Sequence, residues 1–307
     1  MEVEVQGRQL KLSNLDKVLY PAAGFTKGHV IDYYTRIAPV MLDHLRDRPL
    51  TRIRYPNGVD GKFFYEKNCP GHRPEWVPVA RIFTRGTGRW GGESRGPRDI
   101  DFCLANDLPT LMWLANLAAL EMHTSLATAH AYDRPTMVAF DLDPGPPATI
   151  VECCRVALIL RGMFERLGLE CFPKTSGSKG MQVYLPLNTP ATYDETTPFA
   201  RAVAELLEQA QPELVVSQQN KELRTGKVLV DWSQNVDFKT TVCVYSLRAR
   251  DRPTASTPLT WEEVEAARAP EDLRFEAADV LERVERHGDL YSPILELEQR
   301  LPAGVGG

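Results

Sequence analysis

No apolar run in this sequence approaches the roughly 20 residues that a membrane helix needs, and the N-terminus, MEVEVQGRQL, has neither the basic start nor the apolar stretch of a signal peptide. A cytoplasmic location is the expectation. The six cysteines (Cys69, Cys103, Cys153, Cys154, Cys171, Cys243) include no CxxC pair, and adjacent Cys153 and Cys154 cannot easily bridge each other. Neither a zinc site nor a disulfide framework is expected, only buried reduced thiols. There is no Walker loop, no KxDG ligase nucleophile motif, no internal repeat and no low-complexity linker. Positive charge is also in short supply. A net charge of -5 argues at first sight against a nucleic-acid partner, because phosphate binding needs a basic footprint.

The distribution of charge weakens that objection. Residues 261–300 carry twelve acids against five Arg, whereas residues 51–100 carry ten Lys and Arg against five acids. A solvated basic face balanced by a solvated acidic tail would look the same, so motifs have to decide. At 307 residues and 43% apolar content, one large or two small domains can form.

From Thr26 the apolar positions Val30, Ile31, Tyr34, Ile37, Ala38, Met41, Leu42 and Leu45 recur at helical spacing, and Pro49 closes the segment. Residues 84–99 are rich in Gly and Arg without periodicity and read as an exposed loop or loose hairpin. A second helix is expected from a cap at Asp107, with Pro109 in its first turn, through Leu114, Leu117 and Leu120. Thr136–Leu142 reads as a buried strand stopped by Pro-Gly, followed by a helix from about Ile150 to Leu167. Further strands are expected at Cys171–Thr175, Met181–Leu187, Lys227–Trp232 and Thr240–Tyr245, with a helix around Phe199–Leu207. The capping box Thr260-Trp261-Glu262-Glu263 opens a helical, acidic tail. This order fits a mixed α+β sheet better than a doubly wound one.

Asp141 and Asp143 sit two apart at the end of a strand, so both carboxylates share one face, about 6.6 Å apart along the backbone. Pro144 and Gly145 follow at once, and the pair is expected at a sheet edge open to substrate. Asp231, in VLVDW, repeats the pattern. A single Asp-x-Asp is more often a turn with solvated acids. Two acidic strand ends together favour a metal site, because an isolated buried carboxylate costs several kcal/mol. Hard oxygen ligands suit two cations, Mg²⁺ or Mn²⁺. Between the strands, Lys174-Thr-Ser-Gly-Ser-Lys-Gly180 can wrap phosphate with backbone N–H groups. Lys239, Arg248 and Arg250 follow Asp231 and can complete a basic lining, although each alone suits a surface equally well.

The strings NLDKVLYP, RYPNGVDGKFFYEK, FDLDPG, KTSGSKG, LRTGKVLVDWSQN, KTT and YSLRAR, in this order, resemble the polymerase domain of bacterial ligase D, a member of the archaeo-eukaryotic primase superfamily. The resemblance implies a single primase-polymerase domain of α+β class over 1–307. An N-terminal α/β subdomain of about 1–130 would bind DNA ends, an RRM-like mixed sheet over about 131–255 would catalyse, and 256–307 would be the tail. It implies a template-directed nucleotidyltransferase that fills gaps at double-strand breaks in end joining and favours ribonucleotides with Mn²⁺. A bacterial, nucleoid-associated location follows, with the Ku end-binding protein and a separate DNA ligase as partners.

Carried over by position, the resemblance makes Asp141, Asp143 and Asp231 the metal carboxylates. Ser176, Lys179, Gln182, Lys239 and Arg248 would hold the incoming triphosphate. Lys17 and Lys27 would grip a 5′-phosphate across a gap, and Lys27 has independent support because it follows the N-cap Thr26, where a helix favours an anion. Phe63 and Phe64 would stack on template bases, worth about 1–3 kcal/mol per base, unless one of them is strand core. Arg224 and the Arg85–Arg98 loop would contact a second DNA end. In one departure, the family pattern continues after lysine and glycine with an apolar residue and His, where this chain has Met181 and Gln182. Glutamine can donate to phosphate but supplies no charge. Two other readings remain: an end-binding and bridging module with weak catalysis, and a metal-dependent phosphohydrolase, which leaves Lys17, Lys27 and the Phe pair without a role.

Overall fold

The Thr26 hydroxyl accepts from the His29 amide at 3.3 Å, and His29 Nδ1 accepts from the Thr26 amide at 3.0 Å. This reciprocal cap starts α1 (Lys27–Leu45), whose apolar stripe Val30, Ile31, Tyr34, Ile37, Ala38, Met41 and Leu45 is buried as the periodicity predicts, while Leu42 at its margin is only partly buried. In the computed structural model, which describes residues 1–84 and 96–302, the chain divides into two units.

Unit 1 comprises Met1–His130, Thr240–Ala255 and Glu276–Asp289. Its small hairpins are β1 (Glu2–Val5) with β2 (Arg8–Lys11), and β3 (Val18–Tyr20) with β4 (Phe25–Thr26). Its larger sheet is built from β5 (Leu50–Arg54), β6 (Phe64–Glu66), β7 (Val79–Thr84), β8 (Arg98–Cys103) and β9 (Ala119–Thr124). β5 pairs antiparallel with β6, β8 and β9, and β7 extends the sheet beyond β8. The Gly- and Arg-rich segment is bounded by paired strand residues, Thr84 opposite Arg98, and its remainder, 85–95, lies outside the described residues.

Asp107 caps α2 (Leu108–Asn116) by accepting from the Thr110 amide at 2.9 Å. The helix stops short of the expected Leu120. Ala118 takes a left-handed φ of 57°, the chain reverses, and Leu120 falls on β9 instead. The cysteine expectation is corrected here too. Cys69 and Cys103 form a disulfide, while Cys153, Cys154, Cys171 and Cys243 are free and buried as expected. Separated by 34 residues, the pair has no sequence signature; the Cys69 amide bonded to Asp101 O at 2.6 Å draws it onto the end of β8.

Unit 2 comprises Ala131–Lys239, Ser256–Phe275 and Leu290–Gly307. Its elements are β10 (Met137–Pro144), α3 (Ile150–Arg166), β11 (Phe172–Thr175), β12 (Met181–Pro186), α4 (Tyr193–Ala210), β13 (Val215–Val216) and β14 (Val228–Asp231). The strand order is β11-β12-β10-β14-β13, antiparallel except for the β13–β14 pair. This is the mixed α+β sheet expected. One face buries Val138, Phe140, Leu142, Val183 and Val230 against Cys153, Ala157, Leu160 and Phe164 of α3 and Phe199 and Val203 of α4. β10 is the central strand, so Asp141 and Asp143 are not at a sheet edge but near the C-terminal end of the middle strand.

The last segments are shared out. β15 (Thr241–Val242) pairs with β9 in unit 1 rather than joining the unit 2 sheet. The acidic tail holds α5 (Trp261–Ala266) in unit 2, α6 (Ala277–His287) in unit 1 and α7 (Pro293–Glu296) in unit 2. Of the 131–255 and 256–307 stretches, Thr240–Ala255 and Glu276–Asp289 group with unit 1 and the rest with unit 2.

Candidate active site

The sheet register of unit 2 aligns one row of side chains. Lys174 on β11 is opposite Gln182 on β12, Gln182 is opposite Asp141 on β10, and Asp141 is opposite Asp231 on β14. Directly opposed residues point to the same face, here the one away from the apolar core, and Asp143 lies two residues further along that face. The row reads cation, amide, carboxylate, carboxylate.

Its electrostatics follow from that order. Burial, then Asp143, then Asp231 push the Asp141 carboxyl up to about 7, while a hydrogen bond from Gln182 and the charge of Lys174 hold it down. Gln182 Nε2 donates to Asp141 Oδ1 at 3.1 Å. Asp231 accepts from the Ser233 amide at 2.9 Å and from Gln234 Nε2 at 2.9 Å, and Lys239 Nζ donates to Ser233 Oγ at 2.5 Å. Among the described residues no three acidic, His or Cys side chains already converge in metal-holding geometry. Asp231 meanwhile has its oxygens hydrogen-bonded by Ser233 and Gln234. The donor set itself suits a hard divalent cation: three carboxylates share one face, and their mutual repulsion is what a dication relieves.

Two glycines admit the loops around this row. A Cβ on Gly180 would stand 2.0 Å from Leu142 O, and one on Gly145 would stand 1.9 Å from Arg224 O. Within the Ser176–Gly180 turn the Ser176 hydroxyl donates to Gly180 O at 2.9 Å and accepts from the Ser178 amide at 3.2 Å. Lys179 is exposed at its tip. Arg224 Nη2 donates to Gln219 O at 2.6 Å and to Gln219 Oε1 at 2.8 Å.

Unit 1 holds the other expected site residues. Lys27 is buried at the start of α1, Lys17 is exposed, and the Lys27 amide donates to Lys17 O at 2.8 Å. Burial and then the Lys17 charge lower the Lys27 ammonium, which marks a spot short of negative charge. Phe63 and Phe64 are both exposed, at 46% and 43%, so neither is strand core. Arg248 is ion-paired to Glu121 at 3.1 Å. Arg248 thus belongs to unit 1, and the aspartates, Ser176, Lys179, Gln182, Lys239 and Arg224 belong to unit 2.

Sequence reasoning passed over Asn235 and Glu121, and took Lys174 only as part of a phosphate-wrapping segment. Asn235 is fully buried; its Oδ1 accepts from the Ala139 amide at 2.8 Å and its Nδ2 donates to Ala139 O at 2.8 Å. It replaces a missing β14 neighbour just upstream of Asp141. A polar residue with no periodic context carries no signal for this. Lys174 was visible as a lysine in a strand, but only the register shows what it faces.

Unit 2 thus sets a carboxylate row on a mixed sheet beside a lysine-tipped turn, a donor set suited to metal-dependent phosphate chemistry. Residues 26–291 match the family described as LigD, primase-polymerase domain, and the chain belongs to that family. It is 42% identical over 288 residues to the multifunctional non-homologous end joining protein LigD of Mycolicibacterium smegmatis, covering 93% of this chain and 36% of that protein. It is 31% identical to the bifunctional LigD of Bacillus subtilis, covering 91% of this chain and 43% of that protein. The chain thus spans well under half the length of these relatives. The solved polymerase domain of Mycobacterium tuberculosis ligase D in complex with DNA is 38% identical, with a TM-score of 0.83, covering 94% of this chain and 99% of that one.

Proposed function

We propose that this chain transfers nucleoside monophosphates from NTPs, in preference to dNTPs, onto a primer 3′-hydroxyl at gapped or broken DNA bearing a 5′-phosphate, as part of non-homologous end joining. The observation that carries this reading is the Asp141–Asp231 pair with Asp143 beside it on the face of the unit 2 sheet turned away from its apolar core. Asp141, Asp143 and Asp231 would hold two divalent cations, Mn²⁺ or Mg²⁺, which when bound supply Lewis-acid activation of the hydroxyl and neutralise the leaving pyrophosphate. Ser176 and its turn, with Lys179 and Lys239, bind and orient the triphosphate. Lys17 and Lys27 at the head of α1 hold the 5′-phosphate, Phe63 and Phe64 stack on template bases, and Arg224 contacts a second DNA end. Unit 1 is thus the end-binding part and unit 2 the catalytic part. Ku and a ligase activity are the partners expected at the same break, on the bacterial nucleoid.

The test is primer extension on a gapped duplex, with NTP against dNTP and Mn²⁺ against Mg²⁺. Asp141→Ala with Asp143→Ala should abolish extension while leaving DNA binding intact. A folded double variant that extends primers at the parental rate would sink the assignment. A wild-type chain that binds gapped DNA but never lengthens the primer would instead be an end-bridging module.

A further inference from the structure

Lys174 is 1% exposed, and burying an ammonium costs several kcal/mol unless its partners are well placed. Its Nζ donates to Gln182 Oε1 at 2.5 Å and to Ser256 Oγ at 2.8 Å, and lies 5.3 Å from the Tyr184 ring centroid. Ser256 Oγ donates its own proton to Thr175 O at 2.8 Å, which leaves its lone pairs for the ammonium. Tyr184 also donates to Gln182 Oε1, at 3.4 Å.

These contacts determine the amide uniquely. An ammonium has only donors, so Oε1 must face Lys174, and Nε2 is thereby turned to Asp141. A flipped amide would set Nε2 donors against the Nζ donors of Lys174. Gln182, 4% exposed, is therefore held on both sides, its Oε1 by Lys174 and one Nε2 hydrogen by Asp141. Asp141 Oδ1 accepts from that amide, which leaves Oδ2 as the oxygen with both lone pairs available to a cation.

The geometry points to Lys174 as a positioning residue that acts through Gln182 to fix which oxygen of Asp141 is offered to the metal. It rests on the reading of Asp141 as a metal carboxylate. Partners behind a ligand commonly change metal affinity or activity by about 10–100-fold when removed. Lys174→Met keeps an unbranched side chain of similar length and removes the donor that dictates the amide.

In ¹⁵N-labelled, metal-free protein, the Gln182 side-chain amide should lose its protection from hydrogen exchange in Lys174→Met. Mn²⁺ binding to the metal-free chain should weaken, and kcat should fall by about 10-fold or more while KM for nucleotide stays within about twofold. Lys174→Met in a Gln182→Leu background should do no further harm, because both act through one bridge. A raised KM at unchanged kcat would mean that Gln182 faces the triphosphate and would overturn the proposal, as would multiplicative effects in the double variant. If Lys174→Met does not fold, Ser256→Ala, which removes the other anchor of the ammonium, should move the same readouts in the same direction by less. Unchanged amide exchange and Mn²⁺ binding there would equally overturn it. Should the wild type fail to extend primers at all, the polymerase reading falls, while the exchange measurement still decides the bridge.

Discussion

Glu121 is 4% exposed, and burial alone would raise its carboxyl. Arg248, His123 and the Ala249 amide together hold it down at about 2, from its ordinary 4.5. Because the folded value is depressed, the stabilisation is fully present above 4.5 and is lost as pH falls through about 2. The shift corresponds to about 3 kcal/mol at neutral pH. Glu121→Gln should therefore lower unfolding stability by that order at pH 7, leaving the half-buried Arg248 without its counter-charge. The gap between variant and parent should narrow between pH 4.5 and 2, read by urea unfolding across pH. A gap that is constant across this range would mean that the carboxylate is not the source. The four residues of the unit 2 row show the same rule at work: what a side chain does depends on the charge opposite it.

At the scale of elements, β10 is held at its open end by β14 but upstream of Asp141 by a side chain. β14 pairs only with Asp141–Pro144, and Asn235 takes over at Ala139. Asn235 also donates to Trp232 O at 2.8 Å, which ties the short helical turn after Asp231 to the same strand. Asn235→Ala would leave the Ala139 amide and carbonyl unpaired in the core, at about 1–3 kcal/mol for each group. We expect a loss of stability of about 2–4 kcal/mol and faster exchange of the Ala139 amide relative to Phe140 and Leu142. Equal exchange at all three would mean that β10 does not depend on this bracket. The strand would still form, since Met137–Leu142 pairs with β12 throughout.

For the whole molecule, the net charge of -5 conceals where the cations are. Lys17 and Lys27 meet where the α1 N-terminus adds its own positive end, and burial makes the Lys27 charge costly in the absence of an anion. Lys17→Ala with Lys27→Ala should weaken binding to a gapped duplex with a 5′-phosphate by about 1.5–3 kcal/mol per contact before salt screening. Binding to the same duplex without that phosphate should change much less, in titrations at matched salt. Equal losses on both duplexes would reduce the two lysines to general backbone contacts.

Local patterns settled much of this chain from sequence alone. The stripe and cap of α1, the Asp107 cap of α2, the span of α3 and the core strands β10, β11, β12 and β14 follow from periodicity and capping chemistry that act within a few residues. The shared face of Asp141 and Asp143 and the strand-end place of Asp231 were legible from the two-residue strand period and the apolar runs around them. Long-range pairing was not legible. The sheet around β5, the transfer of β15 to β9, the Cys69–Cys103 bond and the central place of β10 depend on contacts between distant segments, which no local spacing encodes. The same holds for Gln182. Its residue type suggested a phosphate donor, but the register set it between Lys174 and Asp141, and an ammonium with only donors leaves the amide only one orientation.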